Sequence, residues 1–235
     1  MHNITLIATT HSEMGKCNAH ELYKIIEEIK PEIIFDELPR ENFETLYNES
    51  YQARLVNNVL FNQKFIATPI EVQCNIRYKQ NYDVDIIPVD IDTSHELSIF
   101  KDDIDRMFMA FFKNEEYLKL DAEKEILILQ EGFYFLNSAK FLDFQDKKEA
   151  LEKTLIELDI ERDKFTSIYN ELYSKQYHNR EYAMLNNIYN FSKSNHYNKA
   201  VFLIGADHKK SFVQKIAAYE KQTEMHLNWT MFGDK

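Results

Sequence analysis

Apolar residues along this chain fall into short unbroken runs separated by stretches with helical spacing. Ile4 to Ala8 is nearly continuous and ends in Thr9, Thr10 and His11, the pattern of a strand buried on both faces. After a polar loop containing Gly15, Asn18 stands at a helix-cap position with Glu21 at the capping-box position. Ala19, Leu22, Ile25, Ile26 and Ile29 then recur three and four apart until Pro31. Ile33 to Phe35 reads as a second strand followed by Asp36, Glu37, Leu38 and Pro39, which completes a βαβ unit with a right-handed crossover. Residues 40–66 have weak helical amphipathicity. Thr68-Pro69-Ile70-Glu71 predicts a helix start, with a capping threonine, proline at the first position and glutamate at the third, and the helix runs to about Tyr82.

Val84 to Ile91 predicts a third strand ending in Asp90 and Asp92, and Pro88 inside it predicts an edge position or a bulge. Residues 95–176 contain no strand pattern. Ile126, Leu129, Phe133 and Leu136 form one apolar seam, and Leu151, Leu155, Leu158, Phe165, Tyr169 and Leu172 another. The polar stretch Asp143 to Lys148 lies between them, which predicts an antiparallel helical hairpin inserted between strands. Asn179 to about Asn195 reads as a helix. Val201 to Ile204 reads as a buried strand turning at Gly205 toward His208, Lys209 to Tyr219 as a helix, and Met225 to Met231 as a last edge strand. The alternation predicts one α/β domain over 1–235: a mostly parallel sheet with helices on both faces and a helical insertion at 95–176.

Composition narrows the function classes. With 28 basic against 39 acidic residues the formal charge is −11, which disfavours non-specific nucleic-acid binding and a polybasic membrane anchor. Cys17 and Cys74 are too few for a disulfide framework or a four-cysteine zinc site. The apolar run Met107 to Phe112 is far too short for a membrane span, and the amino terminus enters a strand pattern without a basic region. A cytoplasmic protein that binds neither membrane nor nucleic acid is therefore expected. Gly15, Gly132, Gly205 and Gly233 are the four glycines, so neither phosphate-cradling glycine motif can be written.

Ligands of parallel sheets bind beyond the carboxyl ends of the strands. By that rule the four main strands deliver His11, Glu37, Asp90 or Asp92, and His208 to one rim, a set suited to holding a metal or activating water. Each residue also has a structural explanation. The histidines could be satisfied strand-end side chains, Glu37 a solvated loop acid, Glu71 a capping-box residue, and Asp90 or Asp92 a loop cap. Cys17 reads as a small structural residue. Arg180, placed at a helix amino terminus, opposes the macrodipole and calls for an offsetting anion, best supplied by the rim.

Ala8-Thr9-Thr10-His11, Asp36-Glu37-Leu38 and Gly205-Ala206-Asp207-His208 resemble recurring motifs of the TraB/Tiki superfamily. Glu71 before Asp90, and Asn179-Arg180-Glu181 with Met184, resemble TraB-type sequence in the same order. That superfamily takes in Tiki metalloproteases, TraB-like proteins, erythromycin esterases and ChaN-like haem-binding proteins. The first motif there is usually G-x-x-H, and Ala8 replaces its glycine, which would disturb a turn needing positive φ.

The resemblance implies a hydrolase acting on a peptide or ester, with site residues His11, Glu37, Glu71, Asp90, Arg180 and His208. In a Tiki-like form His11, Glu37 and His208 hold a divalent manganese, cobalt or zinc ion, and Arg180 steadies an oxyanion. In an erythromycin-esterase-like form His11 is a metal-independent base, Glu37 its orienter and His208 a substrate contact. In a ChaN-like form the chain binds haem or another ligand through His208 or His11 without catalysis. The expected partners are a small-molecule or peptide substrate and a second copy of the chain, docked through the helical hairpin.

Overall fold

The computed structural model describes residues 2–48 and 68–233. Strands β1 (Asn3–Thr9), β2 (Ile33–Pro39), β3 (Asp85–Asp90), β4 (Lys199–Gly205) and β5 (Asn228–Met231) form one sheet in the order β3-β2-β4-β1-β5, and every pairing is parallel. The expected α/β class holds. β4 lies between β2 and β1 and is covered on both faces, which is why Val201 to Ile204 carries apolar side chains without alternation.

Helix α1 (Ala19–Ile29) starts where the pattern predicts: Asn18 Oδ1 accepts the Glu21 N–H at 2.9 Å. The Glu21 carboxylate pairs with Lys24 rather than closing the capping box, and left-handed Lys30 before Pro31 ends the helix. Helix α2 (Arg40–Leu46) follows β2 directly; the helical expectation from residue 49 to 66 lies outside the described residues.

Helix α3 (Ile70–Asn81) lacks the predicted threonine cap. Extended Pro69 precedes it with no side-chain cap, and the Ile70 N–H donates to the His11 carbonyl at 3.2 Å. The start of α3 is thus closed by the loop that carries His11. Pro88 lies on edge strand β3, and the β2–β3 register slips between Asp36 and Pro39, so edge and bulge occur together.

The insertion comprises α4 (Ser94–Ser98), α5 (Lys101–Phe111), α6 (Glu115–Glu131), α7 (Phe133–Leu136), α8 (Ala139–Leu158) and α9 (Arg162–Tyr173). Its own core gathers Met107, Phe111, Tyr117, Ile156, Phe165 and Ile168. The polar stretch Asp143 to Lys148 does not separate two helices; it lies inside α8. The break falls at Gly132, whose positive φ and close contact with Lys16 end α6, and the first seam fails there. Ile126 and Leu129 are about half exposed, whereas Phe133 and Leu136 are buried under β1. Leu158, assigned to the second seam, is 78% exposed.

Beyond α9 a π-helical turn (Ser174–Asn179) passes without a break into α10 (Arg180–Ser194), and α11 (Lys209–Glu220) follows β4. One sheet face carries α1 and α3 over Ile7, Ile34, Val201 and Leu203; the other carries α10 and α11 over Ile4, Leu6, Phe35, Phe202 and Ile204. β1 leads through α1 toward β2, and β4 leads through α11 past β1 to β5. The crevice beyond Thr9 and Gly205 is therefore a topological switch point. Among the described residues no helix is long and apolar enough to cross a membrane.

Candidate active site at the carboxyl rim

Gly205 marks the centre of the site. A Cβ placed there would lie 3.2 Å from Glu37 Oε2, 3.6 Å from His11 Nε2 and 3.6 Å from His208 Cδ2. The side chains delivered by β1, β2 and β4 therefore converge, and a Cβ beneath them would crowd Glu37 by a few tenths of an ångström, while φ, at −53°, does not call for glycine.

His11 sits on the loop after β1 with Nδ1 3.3 Å from Glu71 Oε1. Glu71 is buried on the first turn of α3, where the helix amino terminus favours its charge, and Oε1 also accepts the Thr9 hydroxyl at 2.6 Å. Its other oxygen, Oε2, is buried without a hydrogen-bond partner among the described residues. The neighbouring Glu71 carboxylate raises the His11 pKa from 6.5 to about 9, against burial and with help from the charges of Glu37 and Asp36. With 60% of its side chain exposed, His11 has that attraction partly screened by solvent.

His208, almost fully buried, is held at both nitrogens. Nδ1 stands 2.8 Å from Glu181 Oε1, and Nε2 lies 3.3 Å from Glu37 Oε1 and 3.5 Å from Arg180 Nη1. Glu181 is fully buried and also receives the Ser211 hydroxyl and the Lys215 ammonium. Tyr177 from the π-helical turn packs its ring 4.8 Å from the His208 ring; π-turns of this kind recur at functional sites.

Arg180 forms the third part of the cluster. It reaches both oxygens of Asp90 through Nε, Glu37 through Nη2 at 2.7 Å and Gln176 through Nη1 at 2.7 Å. The rim carboxylates do answer this cation, but the macrodipole reason fails. Arg180 continues a helical run from Arg162, so its N–H groups are not at a free helix end. With Nε and Nη2 on Asp90 and Glu37 and Nη1 on Gln176, Arg180 is a pillar of the site.

Of the two acids after the third strand, Asp90 is the one at the site; exposed Asp92 accepts the Ser94 N–H and caps its loop. The capping-box explanation for Glu71 is overturned, and the carboxylate beside His11 is Glu71, not Glu37. Cys17 is fully buried, and burial pushes its thiol up to about 12, in keeping with a structural residue. The replaced motif glycine causes no strain: Ala8 is an ordinary strand residue, and Lys30 is the one non-glycine residue with positive φ among those described.

Two groups escaped the sequence reading as site residues. Glu181 falls on the same face as Met184, Leu185 and Ile188, so an acid on an apolar helical stripe was the available signal. Asp36 is fully buried and takes hydrogen bonds from Tyr47 and Asn75; burial, with the charges of Glu71 and Glu37, raises it to about 7. It faces the sheet interior from within β2, and only the burial of that strand's last turn reveals it.

Among the described residues no group of three or more His, Cys, Asp or Glu side chains is placed to hold a metal ion. The donor chemistry explains this for His11, Glu37 and His208. Glu37 Oε2 accepts the Gly205 N–H, Oε1 accepts Arg180, and His208 is engaged at both nitrogens. A divalent ion at that point would meet a guanidinium, so the set as arranged does not fit one. The same engagement would have to be broken for His208 to act as an axial haem ligand.

No protein-family model matches the chain, and no curated protein or solved structure matches it.

Proposed function

We propose that the chain is a hydrolase in which His11 moves a proton at the switch-point crevice, with Glu71 as its positioning carboxylate. The Thr9–Glu71–His11 arrangement carries this reading: a buried acid fixes one ring nitrogen while Nε2 faces the crevice. A water between His11 Nε2 and a substrate ester or amide would lose its proton to the imidazole as it attacks the carbonyl, and the imidazolium would return that proton to the leaving group. Glu37, Asp90, Arg180 and His208 act as a mutually neutralising frame that keeps the rim in one geometry. On this reading the chain stands nearer the metal-independent, erythromycin-esterase-like members of the TraB/Tiki grouping than the metalloproteases. The order of its motifs supports the grouping as a whole, and the engagement of Glu37 and His208 with Arg180 supports the metal-independent form.

Hydrolysis of p-nitrophenyl acetate and of short peptides tests the proposal. The rate should persist in EDTA, rise with pH toward about 9 as His11 loses its proton, and fall about 10²–10⁴-fold in His11→Ala. Undiminished hydrolysis by His11→Ala excludes the proposal. Loss of activity in EDTA with recovery on adding manganese, cobalt or zinc would restore the metal-dependent form.

A further inference from the structure

A cavity of about 430 Å³, in the size range of small-molecule sites, opens between the helical insertion and the start of α11. It adjoins the rim. Tyr177, which lines it, packs on His208, and Ser211, on the α11 side, holds Glu181. Its walls combine aromatic faces with carboxylates: Tyr169, Tyr173 and Tyr177 on the insertion side, with Tyr173 and Tyr177 stacked at 5.0 Å, and Glu152 and Asp207 beside them.

Among the described residues no lining lysine forms an ion pair with Glu152 or Asp207, although the Lys148 charge acts on Glu152 from farther off. Lys148 turns to Asp121 and Lys210 to Asp146, and Lys153 pairs with Glu149. Glu152 instead takes hydroxyl hydrogen bonds from Tyr117 and Tyr169, and Asp207 meets only the Gln145 amide at 3.4 Å. Neither carboxylate has an ion-pair partner among the described residues. Gln145, also at the cavity, has a buried Oε1 with no partner among the described residues. Each feature asks for the same thing, a positively charged donor with an apolar body. Aromatic faces attract a cation through their quadrupole, and unpaired carboxylates and an amide oxygen accept from it.

We propose that this cleft binds an organic ammonium group carried on a small apolar body. As a statement about substrate class it rests on the hydrolytic reading of the adjacent rim; as a statement about binding it stands alone. Calorimetric titration of the full chain with benzylammonium, benzyl alcohol and phenylacetate decides it. The ammonium should bind at least tenfold more tightly than the other two. Glu152→Gln, Asp207→Asn and Tyr173→Leu should each weaken it severalfold or more, with circular dichroism showing an intact fold. Equal binding of benzyl alcohol or phenylacetate, or ammonium affinity unchanged in both carboxylate variants, would overturn the proposal. His11→Ala should bind the ammonium as tightly as the parent chain. If it does, and hydrolysis is also unaffected, the cleft stands while the catalytic reading of His11 falls.

Discussion

His11 and Arg180 show how a residue's neighbours decide its job. The pKa of His11 is raised because a buried carboxylate lies against Nδ1, so removing that charge should lower it. In Glu71→Gln the His11 ring should titrate near its ordinary 6.5, read from its Cε1–H shift by NMR, and the alkaline limb of the rate profile should move down with it. A His11 that already titrates near 6.5 in the parent chain would remove Glu71 from its role. Arg180 is 17% exposed and neutralises two side chains that are 3% and 1% exposed. Truncation to alanine leaves Asp90 buried without its cation and Glu37 with only His208 and the Gly205 N–H, a loss of about 3–5 kcal/mol. Urea denaturation of Arg180→Ala should show a drop of that order; a drop below about 1 kcal/mol would mean the cluster is open to water.

Among the elements, the amide of Asn137 at the α7–α8 junction does what a strand would do. β5 pairs with β1 only from Asn3 to Leu6, so the last part of β1 has no neighbouring strand on that side. Asn137 Oδ1 accepts the Ala8 N–H at 2.9 Å, and Nδ2 donates to the Ala8 carbonyl at 3.0 Å, all buried. This bond pair ties the insertion to the strand that delivers His11. Asn137→Ala leaves buried backbone groups unsatisfied and should cost about 1–3 kcal/mol in urea denaturation. An unchanged midpoint would show that water replaces the amide freely. The predicted hairpin turns in a different place: helices α6 and α8 do lie antiparallel, with Tyr117 on Glu152 and Asp121 on Lys148, but the break comes before Asp143. Helical periodicity marks which residues face inward, but Gly132 and its contact with Lys16, not the polarity of Asp143 to Lys148, decide where the helix breaks.

For the whole molecule, two raised groups set the direction of stability with pH. His11 keeps its proton more tightly folded than unfolded, so its contribution is complete below 6.5 and lost as pH rises through about 9. Asp36 has the same sign, because burial raises it from 3.8 to about 7: its contribution is lost across that interval. The acids with lowered values, among them exposed Asp92 and partly buried Asp121, act only at the acid end. The urea midpoint should therefore fall from pH 5 to pH 9. His11→Gln should flatten the upper half of that fall and Asp36→Asn the lower half. A midpoint that rises over this range contradicts both assignments.

The parallel α/β fold, the strand-end positions of His11, Glu37, Asp90 and His208, and the edge place of Pro88 were legible in the sequence alone. Continuous apolar runs force burial on both sheet faces, and parallel strands send their carboxyl ends to one rim. Which carboxylate serves which histidine was not legible. Glu71 with His11, Glu181 with His208 and Asp90 with Arg180 are pairs 60, 27 and 90 residues apart in sequence, joined only when helices dock on the sheet. Local patterns record periodicity and caps, so they offered Glu71 a cap and Arg180 a helix end. Packing instead withdrew the cap by closing α3 with the His11 carbonyl, and fused α9 to α10 through a π-turn. Side-chain partners are a property of the docked elements, and they exist only in the tertiary structure.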